Sequence, residues 1–139
     1  MSDPRRTLAY EDVDFGDELP EVVADVTMAT IKRFGATTGM TYWRFTDHER
    51  ARASGLPGAI VPGIMSQGIL VSLIHRWAPE ATVHKIDTIF RAPVLVDSQP
   101  VCRGVVTDMN DETRTVELDL TVCNEEGETR VLGTAVVEL

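Results

Sequence analysis

The run from Pro62 to Trp77 constrains this chain more than any other stretch. With Pro at a first-turn position, it carries Ile64, Met65, Ile69, Leu70, Val71, Leu73, Ile74 and Trp77 at spacings that cover most of a helix's circumference. Such a helix has no fully wet face and must be wrapped. The apolar stretch from Ala59 to Ile74 is shorter than a bilayer requires and is interrupted by Pro62, Gly63, Ser66, Gln67 and Gly68, so the wrapping has to come from protein. Gly68 and Ser72, four residues apart, leave one side where a second backbone can approach closely. Ala78-Pro79 closes the segment.

From Thr82 the pattern changes to strands. Val116, Leu118, Leu120 and Val122 alternate with Thr115, Glu117, Asp119 and Thr121, which gives one dry and one wet face. Val101 to Thr107 and Thr129 to Leu139 follow the same rule less regularly, and the turn-rich Asn110-Asp111-Glu112 and Asn124-Glu125-Glu126-Gly127 separate them as antiparallel hairpins. One apolar helix followed by a meander of long strands predicts an α+β domain, a curved antiparallel sheet around a central helix.

Upstream, Val22 to Val26 is β-branched enough for a short strand, and Thr27 offers an N-cap for a helix from Met28 to about Ala36 that Thr37, Thr38 and Gly39 end. A second helix is expected from His48 to Ser54, capped by Asp47 and terminated by Gly55, before a turn at Leu56-Pro57-Gly58. With 139 residues, the chain accommodates one domain over 1–139, with 1–9 as a flexible leading segment.

Charge limits the partners. The chain has 22 acidic against 13 basic residues and a formal net charge of −9, which repels nucleic-acid backbones and anionic lipid surfaces. Anionic ligands then require basic residues concentrated locally or supplied by a second chain. Arg5 and Arg6 are followed by no apolar run, so no secretory signal is legible and a cytoplasmic location is expected. Cys102 and Cys123 fall in separate strands and read as packing residues. Three histidines and two cysteines without ligand spacing, and no glycine-rich nucleotide loop, imply neither a metal nor another cofactor.

The order Phe15-Gly16-Asp17-Glu18-Leu19-Pro20, Thr27 with its helix, Phe34-Gly35-Ala36-Thr37-Thr38-Gly39, Asp47, Ala51, Gly55, Ala59-Ile60-Val61-Pro62-Gly63-Ile64-Met65 and Phe90-Arg91-Ala92-Pro93-Val94 resembles MaoC-like enoyl-CoA hydratases and related acyl dehydratase subunits. The resemblance implies a hotdog fold. It also implies the site signature S-G-D-x-N-P-x-H-x-D, whose first Asp and His activate the water that adds to an enoyl thioester. Thr38 and Gly39 fall on its opening and Asp47 on its closing acid, but Met40 stands where the catalytic Asp belongs and Phe45 where the His belongs. Neither side chain transfers a proton, so no catalytic residue can be named from this dyad. Pro62 replaces a His that usually precedes the helix-opening glycine, while Gly63 remains as the candidate whose amide polarises a thioester carbonyl. Gly63 also suits a tight turn before a helix.

The pocket candidates are Met40, Tyr42, Trp43, Phe45, Asp47, Pro62 and Ile64, with Met40 and Phe45 expected to face a cavity beside the start of the central helix. Asp47 reads as a helix cap before it reads as a catalyst. The cluster of Met40, Tyr42, Trp43 and Phe45 is either a filled, structural remnant of a pocket or a wall of an acyl tunnel or partner face. Arg44, Arg76 and Arg91 are either solvated or contacts to a coenzyme A phosphate. Three functions follow: the non-catalytic subunit of a heteromeric acyl dehydratase beside a dyad-bearing MaoC-like chain, a homodimeric enzyme with another acyl-CoA reaction such as thioester hydrolysis, or an acyl-thioester binding module. The ligand in each case is an acyl-CoA or acyl-carrier-protein thioester.

Overall fold

A computed structural model describes residues 7–139. Its elements are a single 3₁₀ turn (Tyr10–Asp12), β1 (Val22–Val23), α1 (Met28–Thr38), α2 (Trp43–Thr46), α3 (His48–Ala53), α4 (Gly63–Trp77), β2 (Thr82–Phe90), β3 (Val101–Asn110), β4 (Thr115–Cys123) and β5 (Thr129–Glu138). The strands form one antiparallel sheet in the order β1-β3-β4-β5-β2, and α4 packs against β2, β3, β4 and β5. This is the α+β hotdog arrangement, an antiparallel sheet around a central helix. Val116, Leu118, Leu120 and Val122 are all buried, as their alternation requires, against Leu70, Leu73 and Ile74 of α4 in one core. Both cysteines are free and buried. Burial pushes the Cys102 thiol up to about 11.

The expected caps form, but some boundaries move. The strand at Val22 stops after two residues because the Asp25 carboxylate accepts from the amide and hydroxyl of Thr27, which turns the chain into α1. The α1 helix runs past Ala36 to Thr38, since the Thr37 and Thr38 hydroxyls donate back to the carbonyls of Arg33 and Phe34 and keep both residues helical. Gly39, at φ 80°, then ends it in the left-handed region. The α3 helix ends at Ala53, one residue before the expected Ser54. Pro62 is the N-cap of α4 rather than its first turn, so Gly63 opens the helix.

Of the leading segment 1–9, residues 1–6 lie outside the described residues, while Leu8 packs against the core and the Ala9 amide donates to Asp12. Beyond it, Glu11 pairs bidentately with Arg114, and the Tyr10 hydroxyl donates to Asp111. These contacts strap the chain start to the β3–β4 hairpin.

Wrapping of α4 is one-sided. The sheet covers Met65, Leu70, Leu73 and Ile74, whereas Ile64 is 58% exposed and Gly68 and Ser72 lie in the open. The adjoining edge strand β2 also shows Ile89 and Phe90 to solvent.

Candidate functional site

Two backbone ladders build the site. Val61 N–H donates to the Val94 carbonyl at 2.8 Å and Val96 N–H to Ala59 at 2.9 Å, with an isolated bridge between Ile60 and Leu95. These bonds press the approach to α4 against the segment after β2. Ile60 N–H in turn donates to the Arg44 carbonyl at 3.0 Å, so α2 is pinned to the same approach.

Between them, beside the start of α4, lies a cleft of about 320 Å³ walled by Ile60, Gly63, Ser66, Phe90, Arg91 and Val94, among others. Its lining is largely apolar, as an acyl group would require. Gly63 is what leaves it open: a Cβ there would stand 3.3 Å from Cζ of Phe90. The amides of Gly63 and Ile64 donate to no group among the described residues, because the first helical bonds to Pro62 come from Met65 and Ser66. Free amides at a helix start favour developing negative charge.

The other nominated residues are placed differently. Met40 and Phe45 are not among the walls of this cleft; Phe45 packs against the main core and Met40 sits just beyond the α1 cap, half-buried. Neither, then, is part of the cleft that Gly63 lines. The reason is α2, a single turn that rolls Phe45 inward and leaves Tyr42, at 53% exposure, outward. Pro62 is buried and caps α4, and Ile64 points into solvent on the open side of the helix. Asp47 caps α3 by accepting from the Arg50 amide at 3.1 Å.

Sequence reasoning missed α2 and an imidazole–carboxylate pair. His48 donates from Nε2 to Asp97 at 2.8 Å, and its Nδ1 accepts the Ala59 amide at 3.0 Å, an assignment of the tautomer that follows from the amide being a donor. Asp97 also accepts the Met28 amide at the start of α1. The His48 bond, then the Met28 amide, holds the Asp97 carboxyl below the usual carboxylate range. With both ring nitrogens committed, His48 has none left to serve a reacting group. The pair ties α1, α3 and the loop before Ile60 together. Forty-nine residues separate its members, so no local pattern marks it. His75 and His84 are occupied by the Ala81 carbonyl and Glu138. No cluster of His, Cys, Asp and Glu that could hold a metal occurs among the described residues.

Tyr42, Trp43, Arg44 and Arg50 form a separate surface group. The two rings lie 5.1 Å apart, Arg44 stacks over both at 5.9 Å, and Arg50 stacks over Trp43 at 5.1 Å.

A family profile described as MaoC like domain matches residues 16–127. No curated protein matches in sequence. Among solved structures, the chain is similar to an (R)-hydratase from A. caviae involved in PHA biosynthesis, at TM-score 0.87 and 18% identity over 93% of this chain and 98% of that one. It is similar also to the ChsH1-ChsH2 complex from Mycobacterium tuberculosis, at TM-score 0.81 and 20% identity over 91% and 98%. A third likeness is to the HadBC (3R-hydroxyacyl-ACP dehydratase) complex from the same organism, at TM-score 0.65 and 16% identity over 88% and 96%.

Proposed function

We propose, from the fact that this chain belongs to the MaoC-like domain family, that it serves as the non-catalytic subunit of a heteromeric acyl-thioester hydratase or dehydratase. What supports this reading is the resemblance, which aligns Met40 and Phe45 with the dyad positions, together with one observation: the neighbouring imidazole, His48, has both nitrogens bound. Addition of water to an enoyl thioester needs a group to take the water's proton and one to give a proton to the α-carbon. Among the described residues, the cleft at Gly63 is lined by no carboxylate and no imidazole.

Binding of the thioester is a separate matter from its reaction. The apolar cleft and the free amides at the start of α4 suit an acyl chain and a thioester carbonyl, and they support a role in which this subunit shapes or completes a pocket whose acid and base belong to a dyad-bearing MaoC-like chain. The open side of α4, with Ile64, Gly68 and Ser72, and the apolar end of edge strand β2, with Ile89 and Phe90, supply the surface for that chain. Two of the similar folds, ChsH1-ChsH2 and HadBC, are themselves described as complexes. The same surface would serve a homodimer.

The test is co-expression with a dyad-bearing MaoC-like chain, followed by enoyl-CoA hydration assays on each protein alone and on the pair. The expected result is a stable pair more active than the dyad-bearing chain alone, with this chain inactive by itself. A pair no more active than its catalytic member, or hydration by this chain alone, refutes the reading.

A further inference from the structure

Among the described residues Ser66 is the single buried polar side chain, 3% exposed, and its hydroxyl meets no hydrogen-bond partner. The hydroxyls of Thr37, Thr38 and Ser54 donate to carbonyls three or four residues back along the chain. For Ser66 the equivalent carbonyl, that of Pro62, already accepts the Met65 and Ser66 amides at 3.0 and 3.1 Å. A buried hydroxyl without a partner costs stability that alanine in its place would not. No side-chain oxygen or nitrogen among the described residues is sealed from solvent and unpartnered, so the Ser66 oxygen keeps access to open space, and the space that Ser66 lines is the cleft.

Helix geometry joins that hydroxyl to the start of α4. Ser66 stands three residues after Gly63 on the same face, and a helical side chain leans back over the turn N-terminal to it. In that turn Gly63 has no side chain to intervene, the N-cap Pro62 offers no side-chain acceptor, and no acidic residue is present. The free amides of Gly63 and Ile64 and the hydroxyl of Ser66 thus gather donors at one end of a cleft whose other walls, apart from the exposed Arg91, are apolar. An accepting oxygen on an otherwise apolar ligand fits this arrangement, whereas a thioether or alkyl group in the same place leaves the donors unpaired.

We propose that Ser66 is a specificity-determining residue of the cleft: its hydroxyl donates, together with the Gly63 amide, to a single carbonyl oxygen, and so selects an acyl thioester over a ligand of the same shape that lacks the carbonyl. This rests on the cleft being a thioester site. The test titrates the intact chain by calorimetry with S-butyryl-pantetheine and with S-butyl-pantetheine, the thioether in which a methylene replaces the carbonyl, and follows the isotope-labelled carbonyl of the thioester by difference infrared spectroscopy. The expected result is tighter binding of the thioester, weakened about five- to tenfold in Ser66→Ala while thioether binding is unaffected. The carbonyl stretch should fall in frequency on binding, and fall less in the variant. Ser66→Ala removes one oxygen from a helix interior and is expected to unfold at a temperature no lower than the parent chain. Thioester binding and a carbonyl stretch that Ser66→Ala leaves unchanged overturn the inference while upholding the cleft. Equal weakening of both probes makes Ser66 a packing residue and overturns it as well. Failure of the intact chain to bind either probe refutes the thioester reading itself.

Discussion

Gly133 of β5 sets how closely α4 lies on the sheet, and replacing it tests the packing that positions the cleft. A Cβ at Gly133 would stand 3.2 Å from Cδ1 of Leu70 and 3.3 Å from Cβ of Leu120, two fully buried side chains. Overpacking of this kind costs about 1–3 kcal/mol, and the smaller entropy of an unfolded chain with Ala in place of Gly returns about 0.4–1 kcal/mol. The Gly133→Ala variant is therefore expected to lose roughly 0.5–2 kcal/mol, a Tm lower by roughly 2–8 °C for a domain of this size. Because Leu70 supplies the nearest atom, the loss should depend on it. Leu70→Ala alone costs about 2–5 kcal/mol through the cavity it leaves, and the added methyl of Gly133→Ala fills part of that space. Urea unfolding of the two single variants and the double variant closes the cycle. A coupling of about 1 kcal/mol in the direction of relief is expected, with Leu120 keeping the relief incomplete. Additivity within about 0.5 kcal/mol, or stabilisation by Gly133→Ala alone, would refute the claim that this glycine is a spacer under α4.

Two further outcomes are expected. Gly63→Ala should change unfolding free energy by less than about 1 kcal/mol, because the ring it meets, Phe90, is half exposed and can turn; the thermal shift produced by acyl-pantetheine should nevertheless shrink as the cleft narrows, and an undiminished shift would remove Gly63 from the site. The hydrogen bond from Arg114 lowers Glu11 from 4.5 to about 2, so its folded-state pKa is depressed, and the stability it contributes is present above pH 4.5 and lost as pH falls toward about 2; urea titrations across that range should show a shallower acid loss in Arg114→Gln than in the parent chain.

The parts legible in the sequence are those written in local periodicity. The alternation at Val116 to Val122 and the apolar run at Ile64 to Trp77 gave the sheet and helix, since burial acts on each residue through its own side chain. The caps at Thr27 and Asp47 were visible because a cap and the amide it serves are three residues apart. The site was legible only in part. Gly63 was named in advance and lines the cleft, but Phe90, Arg91 and Val94 reach it from beyond α4, brought there by the pairing of β2 with β5 and by the bond from Val61 to Val94. Likewise, nothing near Met40 or Phe45 announces α2, a turn with no side-chain cap whose effect is to send Phe45 into the core.

The strand order carries a consequence for synthesis. Among the described residues β2 pairs with β5 alone, whose residues are made about forty positions after Phe90, so at ribosomal rates of about 5–20 residues per second the finished α4–β2 segment waits roughly 2–8 s for its neighbour. During that interval Leu70, Leu73 and Ile74 can be covered only by the β3–β4 part of the sheet, without β5 and the β2 strand it holds. A nascent chain of this topology is thus exposed to aggregation until β5 emerges, and pausing of translation between Asn110 and Thr129 would lengthen the hazard rather than relieve it.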